Sequence, residues 1–171
     1  MKKIPYLIFI CCSAILFCFS SCSKIDDEES YEGGIEIRMR NANNGNDVLD
    51  LLAISTPHTS PFTFAYAQLS ITSSNNFALR AGGGTTSSIV CVGNVKDLGK
   101  ITDIPNSGWT NSDIAVKPGY GYIIKHRYYE EFYEGYVIDT CYYARIYVVD
   151  WIVSTSGGIL GATIRYQDNW K

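Results

Sequence analysis

The chain has little of the material from which catalytic motifs are built. Its 171 residues include two histidines, His58 and His126, and neither stands in a closely spaced ligand motif such as H-E-x-x-H. There is no G-x-S-x-G nucleophile elbow and no G-x-x-x-x-G-K-[ST] phosphate loop. Catalytic, cofactor and metal residues are accordingly not assigned. Positive charge is scarce too: 14 Lys and Arg stand against 17 Asp and Glu, for a formal net charge of −3. With no basic patch to attract phosphate backbones, nucleic acid is not an expected partner. No apolar run reaches the ~20 residues of a membrane span, and no long stretch repeats at helical spacing.

What is present begins with Met1-Lys2-Lys3 and the apolar stretch Ile4 to Phe19, the pattern of an export signal. Such peptides are cut after small residues. Ser20 and Ser21 precede Cys22, whereas Cys11, Cys12 and Cys18 follow Ile10, Cys11 and Phe17. The run Phe19-Ser20-Ser21-Cys22 resembles a bacterial lipobox, with Phe19 where Leu is commoner. The resemblance implies that the Cys22 thiol takes a diacylglycerol and, after cleavage, becomes the acylated N-terminus, with palmitate as a typical chain. Each buried methylene contributes ~0.8 kcal/mol, so two or three acyl chains hold a protein at a membrane that it does not span.

Residues 1–21 are thus expected to be a lipoprotein signal peptide and 22–33 a lipidated tether. The tether holds five acids against Lys24 alone, while Gly33 to Lys171 holds 12 acidic and 11 basic side chains, a net of −1. Lys24, Asp26, Asp27, Glu28 and Glu29 resemble the acidic export signal that follows the lipidated cysteine in Bacteroidetes lipoproteins. That likeness implies the exterior face of the outer membrane. The plainer alternative is a solvated acidic linker on a lipoprotein that faces the periplasm.

Residues 34–171 are enough for one domain with its own core. Ile35, Ile37 and Met39 alternate with Glu36, Arg38 and Arg40, as in a strand with one wet face. Asn41 to Asn46 reads as a turn, Val48 to Ile54 as a strand or a short helix, and Phe62 to Ile71 as a strand. Phe77 to Arg80 and Ser88 to Val92 read as strands on either side of a glycine linker. Ile114 to Val116 and Tyr120 to His126 flank Lys117-Pro118-Gly119 as a predicted hairpin. Tyr136 to Ile138, Tyr142 to Val153 and Ile159 to Tyr166 close the pattern, and Ile104 to Trp109 reads as an ordered loop across one end. Many short strands between turn signals predict an all-β domain, a single antiparallel sandwich or barrel.

The stretches "IEIRMRNANNG", "SSIVCVGNVKDLGKITDIPNSGW", "IAVKPGYGYI" and "YARIYVVDWIVSTSGGILGATIRYQ" resemble a group of small, uncharacterised Bacteroides lipoproteins classed as a domain of unknown function. The resemblance covers most of Gly34 to Gln167 and implies no activity. Asp97 departs from the pattern, in a place where a glycine is expected.

Aromatic residues are the feature with functional leverage. Thirteen tyrosines and three tryptophans are present, and Tyr128, Tyr129, Phe132, Tyr133 and Tyr136 crowd one segment with Glu130, Glu131 and Glu134. Aromatic faces stack on sugar rings while carboxylates accept hydroxyl hydrogen bonds, so Tyr128, Tyr129, Glu130, Glu131, Tyr133 and Glu134 suit a glycan site at a sheet rim. Cross-strand aromatic pairing would account for the same residues. Trp109 and Trp151 read as core, and Trp170 as a docking or frayed residue. The acids near His126 allow a metal or acid/base site, or simply a solvated hairpin tip. Cys91 and Cys141 form either a disulfide, worth about 4 kcal/mol on the chain-entropy model, or two buried thiols. The expectation is a lipid-anchored, non-catalytic binding module whose partners are the membrane and a glycan. An envelope component bound to another envelope protein is the alternative. A hydrolase with an acidic pair is third, because carboxylate separation is a property of the fold and leaves no motif.

Overall fold

Alternation of apolar and polar residues is realised as strands throughout. The computed structural model describes residues 34–55, 64–82, 85–131 and 137–171. Within them lie β1 (Ile35–Arg40), β2 (Val48–Ser55), β3 (Phe64–Ile71), β4 (Asn76–Gly82), β5 (Thr85–Asn94), β6 (Ile114–Ala115), β7 (Tyr120–Glu131), β8 (Val137–Val153) and β9 (Ile159–Gln167). The ambiguous 48–54 run is a strand. Two antiparallel sheets, in the orders β1-β9-β8-β7-β5 and β2-β3-β4-β6, pack as a β-sandwich. Cys22, the expected anchor, and Lys24, Asp26, Asp27, Glu28 and Glu29 of the expected tether lie outside the described residues.

The core between the sheets follows from the strand period of two. Met39, Leu69, Ile71, Phe77, Ile89, Tyr122, Ile124, Ile146 and Ile164 are all buried in one cluster, with Phe77 and Tyr122 edge to face at 5.1 Å. Full burial of such a side chain contributes ~1.5–3 kcal/mol. Val90 and Ile123, which point to the opposite face of the larger sheet, are buried as well. They meet Leu98 and Ile101 of the 95–113 loop in a second cluster, with Trp109, Tyr143, Tyr147 and Trp170 packed around it. The runs "IVCV" and "YII" lack polar alternation because their part of the sheet is covered on both sides. Gly121 lets the cover sit close: a Cβ there would come within 2.7 Å of Ile101.

Polar groups fasten this cover. Asp97 caps the turn Leu98–Lys100 by accepting from the Lys100 amide, which gives the unexpected aspartate a local task. Buried Arg145 donates from Nε to Gln167 and from Nη1 to the Ile101 carbonyl at 2.8 Å, and its guanidinium lies 5.1 Å from the Trp170 ring. The Trp170 amide in turn donates to the Tyr143 carbonyl of β8, and the Tyr143 amide donates back to the Lys171 carbonyl. It is docked, not frayed.

Three expectations are corrected. Ile114–Ala115 pairs with β4, not β7, so Lys117-Pro118-Gly119 carries the chain between sheets instead of closing a hairpin. The Tyr122 hydroxyl takes over as partner there, donating to the Ala115 carbonyl and accepting from the Lys117 amide. The separate strands expected at 136–138 and 142–153 are one strand, because Asp139, Thr140 and Cys141 stay in register with Tyr129, Tyr128 and Arg127. Cys91 and Cys141, left open between a disulfide and two buried thiols, are free, with Cys91 half-buried and Cys141 exposed. β7 lies between them, and Cys91 aligns through Tyr122 with Ile146, five residues along β8 from Cys141. At ~4.8 Å per strand and ~3.4 Å per residue that offset far exceeds the roughly 7 Å Cα limit for a bridge.

One bulge depends on a distant carboxylate. Leu52 is fully buried with φ +55°, in an irregular stretch of the β2–β3 ladder, and its amide donates to both Asp168 oxygens at 3.0 and 3.1 Å. Asp168→Ala should strand that amide and cost ~1–3 kcal/mol, read as an earlier urea midpoint. Asp168→Asn, which keeps one acceptor oxygen, should lose less. An unchanged midpoint for Asp168→Ala would show that the bulge holds itself.

Candidate ligand-binding surface

Strand alternation splits the aromatic segment that the sequence presents as one cluster. Tyr128 and Tyr129 are consecutive in β7, opposite Thr140 and Asp139 of β8, so they face opposite sides of the sheet. Tyr128 is half-buried on the interior side, opposite Thr85. Tyr129 points outward, 47 % exposed, with the Arg127 guanidinium 5.7 Å from its ring centre. Glu131 is exposed, Glu130 pairs with Ile138 in the ladder, and Tyr133 and Glu134 lie outside the described residues. The residues described are strand, not rim loop, and they form no single row.

The outer face of β5, β7 and β8 gathers a different set. Lys125, Arg127 and Tyr129 project there from β7, beside Tyr143, Cys141 and Asp139 of β8. The 95–113 loop brings Trp109 against them. Its indole N–H donates to the Pro105 carbonyl at 2.9 Å, and the neighbouring Thr110 exchanges two backbone bonds with Ile89 of β5, at 2.8 and 3.0 Å. Thus seated, the Trp109 ring lies 4.7 Å below the Lys125 ammonium and 6.2 Å from the Tyr143 ring. A groove of about 420 Å³ results, lined by Thr86, Ser88, Trp109, Thr110, Lys125 and Arg127, with Ser87 and Asn111 completing it.

Electrostatics order the open end of this groove. Arg127 donates from Nε and Nη2 to the two Asp139 oxygens, both at 2.7 Å. That fork holds the Asp139 carboxyl below its usual range and the guanidinium above its own. Both groups are well exposed, so the pair positions Arg127 more than it stabilises the fold. Burial pushes the Tyr143 hydroxyl pKa up, so it remains a neutral donor at ordinary pH. A larger recess of about 540 Å³ lies under residues 101–108, lined by Val90, Val92, Ile101, Pro105, Gly108 and Ile114 beside Cys91 and a few polar groups. It lacks an aromatic platform.

Sequence reasoning placed Trp109 in the core and passed over Lys125, Thr86, Ser88 and Thr110. The one available signal was parity: Lys125 and Arg127 alternate with the apolar positions of β7 and therefore share a face. The loop that completes the groove leaves no such pattern.

His126 is not at a solvated tip. It is fully buried on the interior face of β7, with Nδ1 2.8 Å from Ser87 Oγ and Nε2 without a partner. Among the described residues, no three His, Cys, Asp or Glu side chains gather closely enough to hold a metal ion. Desolvation lowers the His126 pKa, so the ring is neutral, and the least costly tautomer donates from Nδ1 to Ser87. The unfolded chain then binds a proton near the free value of about 6.5 while the folded protein does not. Stability should therefore be full above that pH and fall as pH drops below it. Thermal melts of the full chain from pH 7.5 to 5 should show this decline, and His126→Leu should flatten it. An equal decline in His126→Leu would assign the effect to other groups.

A family described as "Domain of unknown function (DUF5036)" matches residues 62–170, the segment from β3 through β9 that includes every lining residue of the groove. No curated protein and no solved structure matches the chain.

Proposed function

The chain belongs to the DUF5036 family, whose description carries no activity, and from its geometry we propose that it is a lipid-anchored binding module, without chemistry of its own, that captures glycan. One observation carries the reading. An outward-facing groove on the sheet sets one aromatic ring, Trp109, among hydroxyl, amide, ammonium and guanidinium groups, with Tyr143 packed against that ring and Tyr129 beside the Arg127 guanidinium. Sugar rings offer C–H faces to aromatics and a fringe of hydroxyls to polar side chains, and a binding site needs few such polar groups if they converge. β-strand mounting suits capture, since the site keeps its shape without ligand.

The anchor belongs to the same proposal. Cys22 would hold the domain at the outer membrane through acyl chains, and the acidic residues from Asp26 to Glu29 would direct it to the exterior, where polysaccharide is met. Cys22→Ala should abolish labelling by a palmitate analogue in cells. Replacement of Asp26, Asp27, Glu28 and Glu29 with alanine should keep the label and lose protease accessibility in intact cells. A Cys22→Ala protein that still labels would end the anchor reading.

Glycan capture is tested by retention of the full chain, in detergent, on a panel of immobilised polysaccharides. Tyr129→Ala should keep the parental Tm, because its ring is exposed, and weaken retention. Trp109→Ala should lose both, because its indole also holds the loop. If no polysaccharide retains the parent, or Tyr129→Ala is retained as well as the parent, the glycan reading fails and the envelope-component alternative takes its place.

A further inference from the structure

The charged groups lining the groove are both cations, and that sign specifies a kind of sugar. The Lys125 side chain is half-buried against the Trp109 ring and, among the described residues, has no ion-pair partner. Ion pairs among the described residues include Arg40–Asp47, Arg127–Asp139 and Arg165–Glu36. Arg127 spends Nε and Nη2 on Asp139, which leaves the Nη1 donors of the guanidinium for other use. Thr110 Oγ1 accepts from the Ser112 amide and keeps its O–H free to donate. Thr86, Ser88 and Asn111 add groups that both donate and accept, and no carboxylate lines the groove.

A neutral sugar presents hydroxyls that donate as readily as they accept, and carboxylate acceptors are what hold them. This groove offers donors and charge instead. The Lys125 ammonium also stands over one face of the Trp109 ring, at 4.7 Å, so a pyranose approaching that face meets the cation first. What such a lining satisfies is an anionic oxygen: charge-assisted hydrogen bonds from an ammonium and a guanidinium are shorter and roughly twice as strong as neutral ones. The attraction is local, since the chain as a whole carries a net charge of −3 and would repel a polyanion elsewhere.

We infer that the groove selects glycans carrying an anionic substituent, a sulfate ester or a carboxylate, and that Lys125 is the residue that reads it. The inference rests on the glycan reading above and adds the class of sugar. Three polymers on one backbone test it: chondroitin sulfate, the same chain desulfated to leave its carboxylates, and the desulfated chain with its carboxyls reduced. Retention of the full chain should be lowest on the neutral polymer, and the step at which it drops identifies the anion. Lys125→Gln should weaken binding to the charged polymer about tenfold, as the loss of one charge-assisted hydrogen bond, with its Tm unchanged. Lys96→Gln, the same change of charge at an exposed position away from the groove, should bind like the parent. Binding should also fall as salt rises.

Equal retention on all three polymers, with Lys125→Gln binding as the parent does, overturns the inference and leaves glycan capture standing. Equal losses in Lys125→Gln and Lys96→Gln overturn it as well, because the protein is then acting as an ion exchanger. Absence of binding to these three and to every other polysaccharide in the panel removes both readings together.

Discussion

The buried guanidinium of Arg145 is the interaction on which the working face of this domain depends. A cation inside a protein is tolerated only where its donors are used, because a lone buried charge costs several kcal/mol. Arg145 meets that requirement by joining three parts of the chain: Gln167 at the end of β9, the Ile101 carbonyl in the covering loop, and the Trp170 ring. Each partner is thereby fixed relative to β8. Without it, the loop would keep only its flanking ties, from the Val95 amide to the Gly119 carbonyl and from Lys171 Nζ to the Thr102 carbonyl, to hold Leu98 and Ile101 over Val90 and Ile123. The outer face of the sheet would be apolar and open.

From that clamp the groove follows. The loop that Arg145 holds down at Ile101 continues to Pro105, whose carbonyl receives the Trp109 indole, and then to Thr110, which joins the edge of β5 through Ile89. Hydrophobic burial supplies the energy for this cover, and the polar contacts supply its position. Trp109 thus does two things at once: one part of the ring closes the second cluster and another forms the floor below Lys125. The bridge at Thr110 also occupies part of the β5 edge, which reduces the length of strand open to unwanted pairing.

The abundance of aromatic residues divides in the same way. Tyr122 and Phe77 are core, packed edge to face, and the Tyr122 hydroxyl replaces ladder partners where the chain passes between sheets. Trp170 and Tyr147 cover, while Tyr129 faces solvent. One residue type serves burial, capping and display, and the side of the strand on which it falls decides which.

Period-two alternation and turn chemistry were enough to determine an all-β domain. β1, β5 and β9 are legible as local patterns, because whether a side chain is wet or dry follows directly from the pleat. The amino-acid order alone also shows the acidic stretch after Cys22, the scarcity of positive charge, and the shared parity of Lys125 and Arg127. It does not show that Ile114 joins β4 across the sandwich, that Cys91 and Cys141 lie strands apart, or that Tyr128 and Tyr129 part company. Each of those depends on register and on which sheet a strand enters, and these are settled by contacts between residues far apart in the chain. The groove is the extreme case. Trp109 and Lys125 meet only because a loop without periodicity is drawn onto the sheet by Arg145 and two aliphatic side chains, and such a loop carries its instructions in its distant partners.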